Sequence, residues 1–156
     1  MDGARCAWLI HRGLASLARA ERLDGARGPY VLQASIAACH ARARVAADTD
    51  WTAIVSLYGE LARLIPSPVV ELNRAVAVSM ASGPATALPL VDAIASAPAL
   101  KNYHLLPSVR GDLLVKLGRF GEARPEFERA ASLTRNARER ELLLERARSA
   151  ERRAHT

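Results

Sequence analysis

The run from Tyr103 to Leu133, YHLLPSVRGDLLVKLGRFGEARPEFERAASL, most narrows what this chain can become. Small and large apolar residues recur at helical spacing on both sides of Gly118: Gly111 and Leu114 before it, Ala123, Phe127 and Ala130 after it. Glycine at the break ends one helix cheaply, so the pattern predicts two antiparallel helices. Gly111 and Ala123 let these helices approach closely, and Leu114 and Phe127 fill the space between this pair and its neighbour. Such a pair cannot bury its apolar face alone. The rest of the chain therefore has to supply stacked partners.

The alternation is similar to that of a tetratricopeptide repeat, in which G-x-x-(Tyr or Leu) on the first helix meets A-x-x-x-F on the second. Pro107 stands where that pattern wants a large apolar residue, and Arg135 where it often has proline. Pro125 falls near the first turn of the second helix, where a missing N–H costs little. An earlier copy places Arg74, Ala75, Ala87 and Val91 where the later one has Arg110, Gly111, Ala123 and Phe127. A weaker first copy pairs residues 29–46 with 51–64. The spacing is near the repeat's period of about 34 residues.

In chain order, Leu9, Ile10, Leu14, Leu17 and Ala18 form a helical stripe within residues 2–23, closed by the turn Asp24-Gly25-Ala26-Arg27-Gly28. Pro29 opens a second helix that runs through Tyr30, Ile36, Ala37 and His40 to about Ala46. Asp48-Thr49-Asp50 offers a cap for a third helix, Trp51 to Leu64, with Trp51, Ile54, Val55, Tyr58, Leu61 and Leu64 on its buried side and Pro66 closing it. Ser67-Pro68 caps and starts the fourth, which carries Leu72, Ala75, Val76 and Val78 toward the core as far as about Ala81. Gly83-Pro84 separates it from a fifth helix, to about Ser96, with Ala87, Leu90, Val91 and Ile94 inward. Pro89 should kink or shorten that helix. Asn136 caps the last helix, and Glu139 completes the spacing of a capping box.

The reading is all-α: about eight helices in stacked antiparallel hairpins, a tetratricopeptide-like superhelix, forming a single domain over residues 1–156. Within it, 1–28 is an N-terminal helix, 29–134 holds about three hairpins, and 135–156 is a capping helix. Aromatics make up only 4% of the 156 residues and the alternating β-branched signature of strands is missing, whereas Ala, Leu and Arg suit close-packed helices. Cys6 and Cys39 are too few for a disulfide framework, and Cys39, on a small-residue face with Ala34 and Ala38, reads as a buried hydrophobe. No leader pattern and no apolar run of about 20 residues appears, which points to a cytoplasmic protein without a membrane segment.

Catalysis finds little support. His11, His40, His104 and His155 are scattered, with none at metal-ligand spacing, and neither nucleophile-elbow nor phosphate-loop glycine patterns occur. No enzyme activity, cofactor or metal is expected. Residues 1–100 carry 9 basic and 8 acidic side chains, against 13 and 8 in residues 101–156, so the excess of +6 lies mostly in the last third. In the final helix the arginines alternate with glutamates, as in Glu145 and Arg148, which favours a solvated face with i,i+3 ion pairs over a nucleic-acid footprint. Stacked hairpins act through the concave surface lined by their first helices. There the candidate partner-binding residues are Gln33, Asn73, Arg74, Arg110 and Asp112, each of which could equally bond a neighbouring helix end.

Three segments, GPYVLQASIAACHARA (28–43), TDWTAIVSLYGELARLIPSPVVELNRAVAVSM (49–80) and YHLLPSVRGDLLVKLGRFGEARPEFERAASLTRNARERELLLER (103–146), resemble the carboxyl-terminal extension of bacterial extracytoplasmic-function sigma factors. The resemblance spans nearly the whole chain and is weakest before Gly28. It implies a non-enzymatic regulatory domain that contacts sigma domains or RNA polymerase. It implies no promoter recognition by this chain, which has no sequence for the two sigma domains and no helix-turn-helix pattern. A free-standing scaffold is the alternative, and a small-molecule sensor with a pocket around His40 or His104 comes after it.

Overall fold

A computed structural model of the chain describes residues 13, 17, 28–43 and 45–155. Among the described residues are seven α-helices and no strand: α1 (Pro29–Arg42), α2 (Trp51–Leu64), α3 (Pro68–Ser82), α4 (Pro84–Ile94), α5 (Leu105–Lys116), α6 (Phe120–Leu133) and α7 (Ala137–Ala154). Short 3-10 turns cover Ala46–Asp48 and Pro98–Leu100. The all-α expectation holds. Of the helix expected over 2–23, Gly13 and Leu17 are helical and Leu17 is buried; the remainder, with Cys6 and His11, lies outside the described residues.

Residue contacts divide the chain into two compact units, 1–70 and 71–156. In the first, α1 packs on α2. Leu32, Ser35, Ile36 and Ala38 of α1 are buried, as are Ile54, Leu57 and Leu61 of α2. Asp50 caps α2 as its sequence position implied, Oδ1 accepting from the N–H of Ala53 at 2.9 Å. Several expectations need correction. α1 stops at Arg42 because Ala43 turns to extended backbone, φ −69° and ψ 126°. The buried stripe of α2 is 54, 57 and 61, which leaves Trp51, Val55 and Tyr58 half-buried at its flanks. Leu64 sits on the last turn, where the chain already departs at Ile65, and is 53% exposed. Cys39 is only half-buried and Ala34 exposed, because the core side of α1 follows Leu32, Ser35 and Ile36.

In the second unit α4 packs on α5, α5 on α6 and α6 on α7. Proline opens α3 and α4, and Gly83 before Pro84 takes φ +88°, a conformation closed to most side chains. Pro89 is accommodated within α4, the shortest α-helix among the described residues at 11 residues. On α3 the buried residues are Leu72, Ala75, Ala77, Val78 and Ser79, and Val76 flanks the core instead of joining it. On α4 the buried set is Ala87, Leu88 and Val91; Leu90 and Ile94 are half-buried.

The α5–α6 hairpin carries the centre of this unit. Gly118, at φ +73°, reverses the chain, and the N–H of Arg119 donates to the Leu114 carbonyl at 2.9 Å to close the end of α5. Gly111, Leu114, Ala123, Phe127 and Ala130 are all buried, as the spacing predicted. Gly111 serves a more specific purpose than backbone approach. A Cβ there would lie 2.7 Å from Cε1 of Phe127, so the glycine is the seat of the ring. Pro125 lies deeper than expected, in the second turn, because α6 begins at Phe120 immediately after the reversal. Its exposed position leaves water to satisfy the carbonyl that loses an N–H partner. Asn136 Oδ1 accepts from the N–H groups of Arg138 and Glu139, at 3.0 and 3.3 Å, and so caps α7. Glu139 does not complete the box: the N–H of Asn136 donates to Thr134 Oγ1, which frees the Glu139 carboxylate for His104 and the Thr134 hydroxyl.

Candidate interaction surface

Gln33 is exposed on α1 in the first unit. The other four candidates belong to the second. Asn73 is exposed on α3, while Arg74 pairs within that helix, Nε to Glu71 Oε2 at 2.8 Å. Arg110 works as a clasp across three helices. Its Nε donates to Asp92 of α4 and its Nη1 to Glu126 of α6, both at 2.8 Å. The hydrogen bond to Asp92 leads the effects that raise its pKa, and it outweighs the opposing desolvation. Asp112 pairs with Arg146 of α7. The Arg146 guanidinium lies 4.5 Å from the centroid of Phe127, and burial draws its pKa below the ordinary arginine value. Arg74, Arg110 and Asp112 are thus engaged in internal ion pairs.

His40 and His104 are also engaged internally. His40 meets Trp51 edge-on, with ring centroids 5.3 Å apart, and His104 Nε2 is 3.1 Å from Glu139 Oε1, tying the start of α5 to the start of α7. Arginines of α6 and α7 are similarly employed. Glu145 holds Arg148 at 2.8 Å and Arg152 at 3.2 Å; Arg140 Nη2 donates to the Thr134 carbonyl at 2.8 Å and so covers the C-terminus of α6. Among the described residues, no group of three or more His, Cys, Asp and Glu side chains could hold a metal ion, and no helix is long and apolar enough to cross a membrane.

One apolar groove lies between α3 and α5. Val76, Ser79 and Met80 form one wall, Val109, Leu113 and Lys116 the other, around a cavity of about 80 Å³, with Asp112 at its edge. Spacings of i, i+3 and i+4 place each set on one helix face. Val76 and Met80 are 37% and 48% exposed, more than a core stripe would leave, and these are the apolar side chains a partner could cover. Sequence reasoning counted Val76 as core and passed over Met80, Val109 and Lys116. The signal was there in Val76 and Met80, spaced by four on α3, but it becomes legible only once Leu72, Ala75 and Ser79 are known to take the inward face.

No protein-family model matches the chain. An uncharacterized protein of Rhizobium meliloti (strain 1021) is 52% identical over 112 residues, 72% of this chain, and the match spans 26% of that protein's length. Among solved structures, the first TPR domain of human RPAP3, determined by NMR, is similar with a TM-score of 0.63 at 20% identity, over 83% of this chain and 99% of that domain. Neither similarity bears on sigma factors; the second establishes that this chain has a tetratricopeptide-like helical fold.

Proposed function

We propose that this chain is a protein-interaction scaffold that holds a partner segment in the α3–α5 groove. The observation that carries the reading is the pair of half-exposed apolar side chains, Val76 and Met80, facing Val109 and Leu113 across a cavity between the first helices of two hairpins. Helical-repeat folds present such helices as an extended binding surface. Grooves of this kind take apolar anchors that exclude water, with polar contacts setting register. The single-domain organisation over residues 1–156 belongs to the same proposal, as does Asn73 as an outer contact of the groove; Gln33 is proposed as a separate partner contact on the first unit. Arg74, Arg110 and Asp112 contribute chiefly by fixing the helices that present the groove.

The test is affinity capture with the immobilised chain, run in parallel with a Met80→Glu/Val109→Glu variant of unchanged helical content. Proteins retained by the unmodified chain and released by the variant support the reading. Equal retention by both would remove the groove from the account.

A second reading makes the scaffold the tail of a sigma factor, contacting sigma domains or RNA polymerase. It rests on the segments 28–43, 49–80 and 103–146. Its test is direct binding to purified sigma domains, with loss in the groove variant expected. No binding at low salt would leave the scaffold reading alone.

A further inference from the structure

The chemistry of the groove goes beyond an apolar slot. Ser79 is 8% exposed, and its Oγ is buried without a hydrogen-bond partner, the only such side-chain atom among the described residues. A buried hydroxyl left unpaired is costly, and native structures rarely keep one unless something else completes it. Ser79 lines the cavity whose other walls are Val76, Met80, Val109 and Leu113. At the rim stands Lys116, exposed, whose ammonium enters no ion pair among the described residues. Asp112, one helical turn earlier, has its carboxylate on Arg146 and does not neutralise it.

We infer that the groove is built for an extended peptide segment of a partner protein in which an apolar side chain is followed closely by an acidic one. This rests on the scaffold reading and specifies its partner. The apolar side chain enters between Met80 and Val109. The peptide backbone hydrogen-bonds to the Ser79 hydroxyl, and the carboxylate pairs with Lys116. The acidic group is a side chain within the segment and not a chain terminus. Capture of a terminal carboxylate draws on several convergent backbone N–H groups, whereas Met80 and Lys116 lie near the C-terminal ends of α3 and α5, where carbonyls project. A single ammonium on a flexible stem suits a side-chain carboxylate.

The probe is a displayed library of random linear peptides selected on the immobilised full chain. Selected peptides are then measured by fluorescence anisotropy against the unmodified chain and against Lys116→Glu, Ser79→Ala and Met80→Glu. Enrichment of an apolar residue beside Asp or Glu is expected, with affinity lowered about tenfold by Lys116→Glu and restored when the peptide acid is replaced by lysine. Ser79→Ala should raise Tm, by removing the unpaired hydroxyl, while weakening the peptide roughly 2–10-fold, the worth of a neutral hydrogen bond. That opposition of signs is foreign to a merely structural serine. An amidated C-terminus must leave affinity unchanged; loss on amidation overturns the internal-acid assignment. Peptides that bind with no acidic preference, or that ignore Lys116→Glu while still losing affinity with Met80→Glu, refute this inference and leave the scaffold reading standing. Peptides indifferent to Met80→Glu, or no enrichment at all, refute both.

Discussion

Replacing Gly111 with alanine sets two effects of opposite sign against each other, and the structure decides which wins. In an open helix interior the change is favourable by about 1 kcal/mol, because glycine loses more backbone entropy on folding. At position 111 the new methyl would meet Phe127 at 2.7 Å from Cε1, 2.9 Å from Cδ1 and 3.0 Å from Cζ, where ordinary contact begins at 3.4 Å. The ring would have to withdraw, but it is fully buried, and the Arg146 guanidinium lies 4.5 Å from its centroid. Overpacking of this kind costs about 1–3 kcal/mol. After the helix gain of about 1 kcal/mol is subtracted, a net loss of up to roughly 2 kcal/mol remains. For a chain of this length that corresponds to a fall in Tm of up to about 8 °C. The assay is urea and thermal unfolding followed by far-ultraviolet circular dichroism. Gly59→Ala in α2 supplies the control, since its Cβ would meet nothing within 4 Å and it should stabilise by up to about 1 kcal/mol. Pairing Gly111→Ala with Phe127→Leu should recover part of the combined loss as a coupling energy. An alanine at 111 as favourable as one at 59, or strictly additive effects in the pair, would refute the assignment of Gly111 as the seat of the ring.

Gly83→Ala should cost about 1–2 kcal/mol in chemical unfolding although no atom lies within 4 Å of its Cβ position, because the penalty arises from φ +88°. Arg110→Met should destabilise by about 1 kcal/mol at low salt and less at high salt, since the bond to half-exposed Asp92 is screened more than that to Glu126. The Glu145 carboxyl titrates below the ordinary glutamate value, chiefly through its hydrogen bond to Arg148 and then that to Arg152. Its folded value being the lower one, its contribution to stability is complete above the unfolded value and disappears as pH falls through the folded one. An NMR titration of Glu145 should show this depression, with Arg148→Ala moving the midpoint upward.

The hairpin from Tyr103 to Leu133 was readable from sequence because its information is local: Gly111, Gly118, Ala123 and Phe127 carry their meaning in size and spacing. The helix starts at Pro29, Pro68 and Pro84 were readable for the same reason, since proline suits the first turn wherever it falls. Burial depended on tertiary partners and was less legible. Leu64 fits the apolar stripe of α2 but lies on the last turn, and Val76 fits that of α3 but faces the groove. The destinations of long charged side chains were not legible at all. Arg110 reaches Asp92 and Glu126, 18 and 16 residues away in sequence, and Glu139 abandons its expected cap for His104, just before α5. Polar residues on a first helix looked like partner contacts, yet Arg110 and Asp112 also bridge to other helices and Arg74 pairs within its own. Val76 looked like core because periodicity does not distinguish a face covered by the chain itself from one left for a partner.

The central claim is that a partner segment lies between α3 and α5. The most direct measurement is the amide chemical-shift map of the isotopically labelled chain as an acidic–apolar peptide selected on it is added. A segment seated in the groove should give saturable shifts concentrated on Val76, Ser79, Met80, Val109, Leu113 and Lys116, with the outward face of α7 undisturbed. Shifts centred on α7, or saturation that leaves α3 and α5 unmoved, would contradict it.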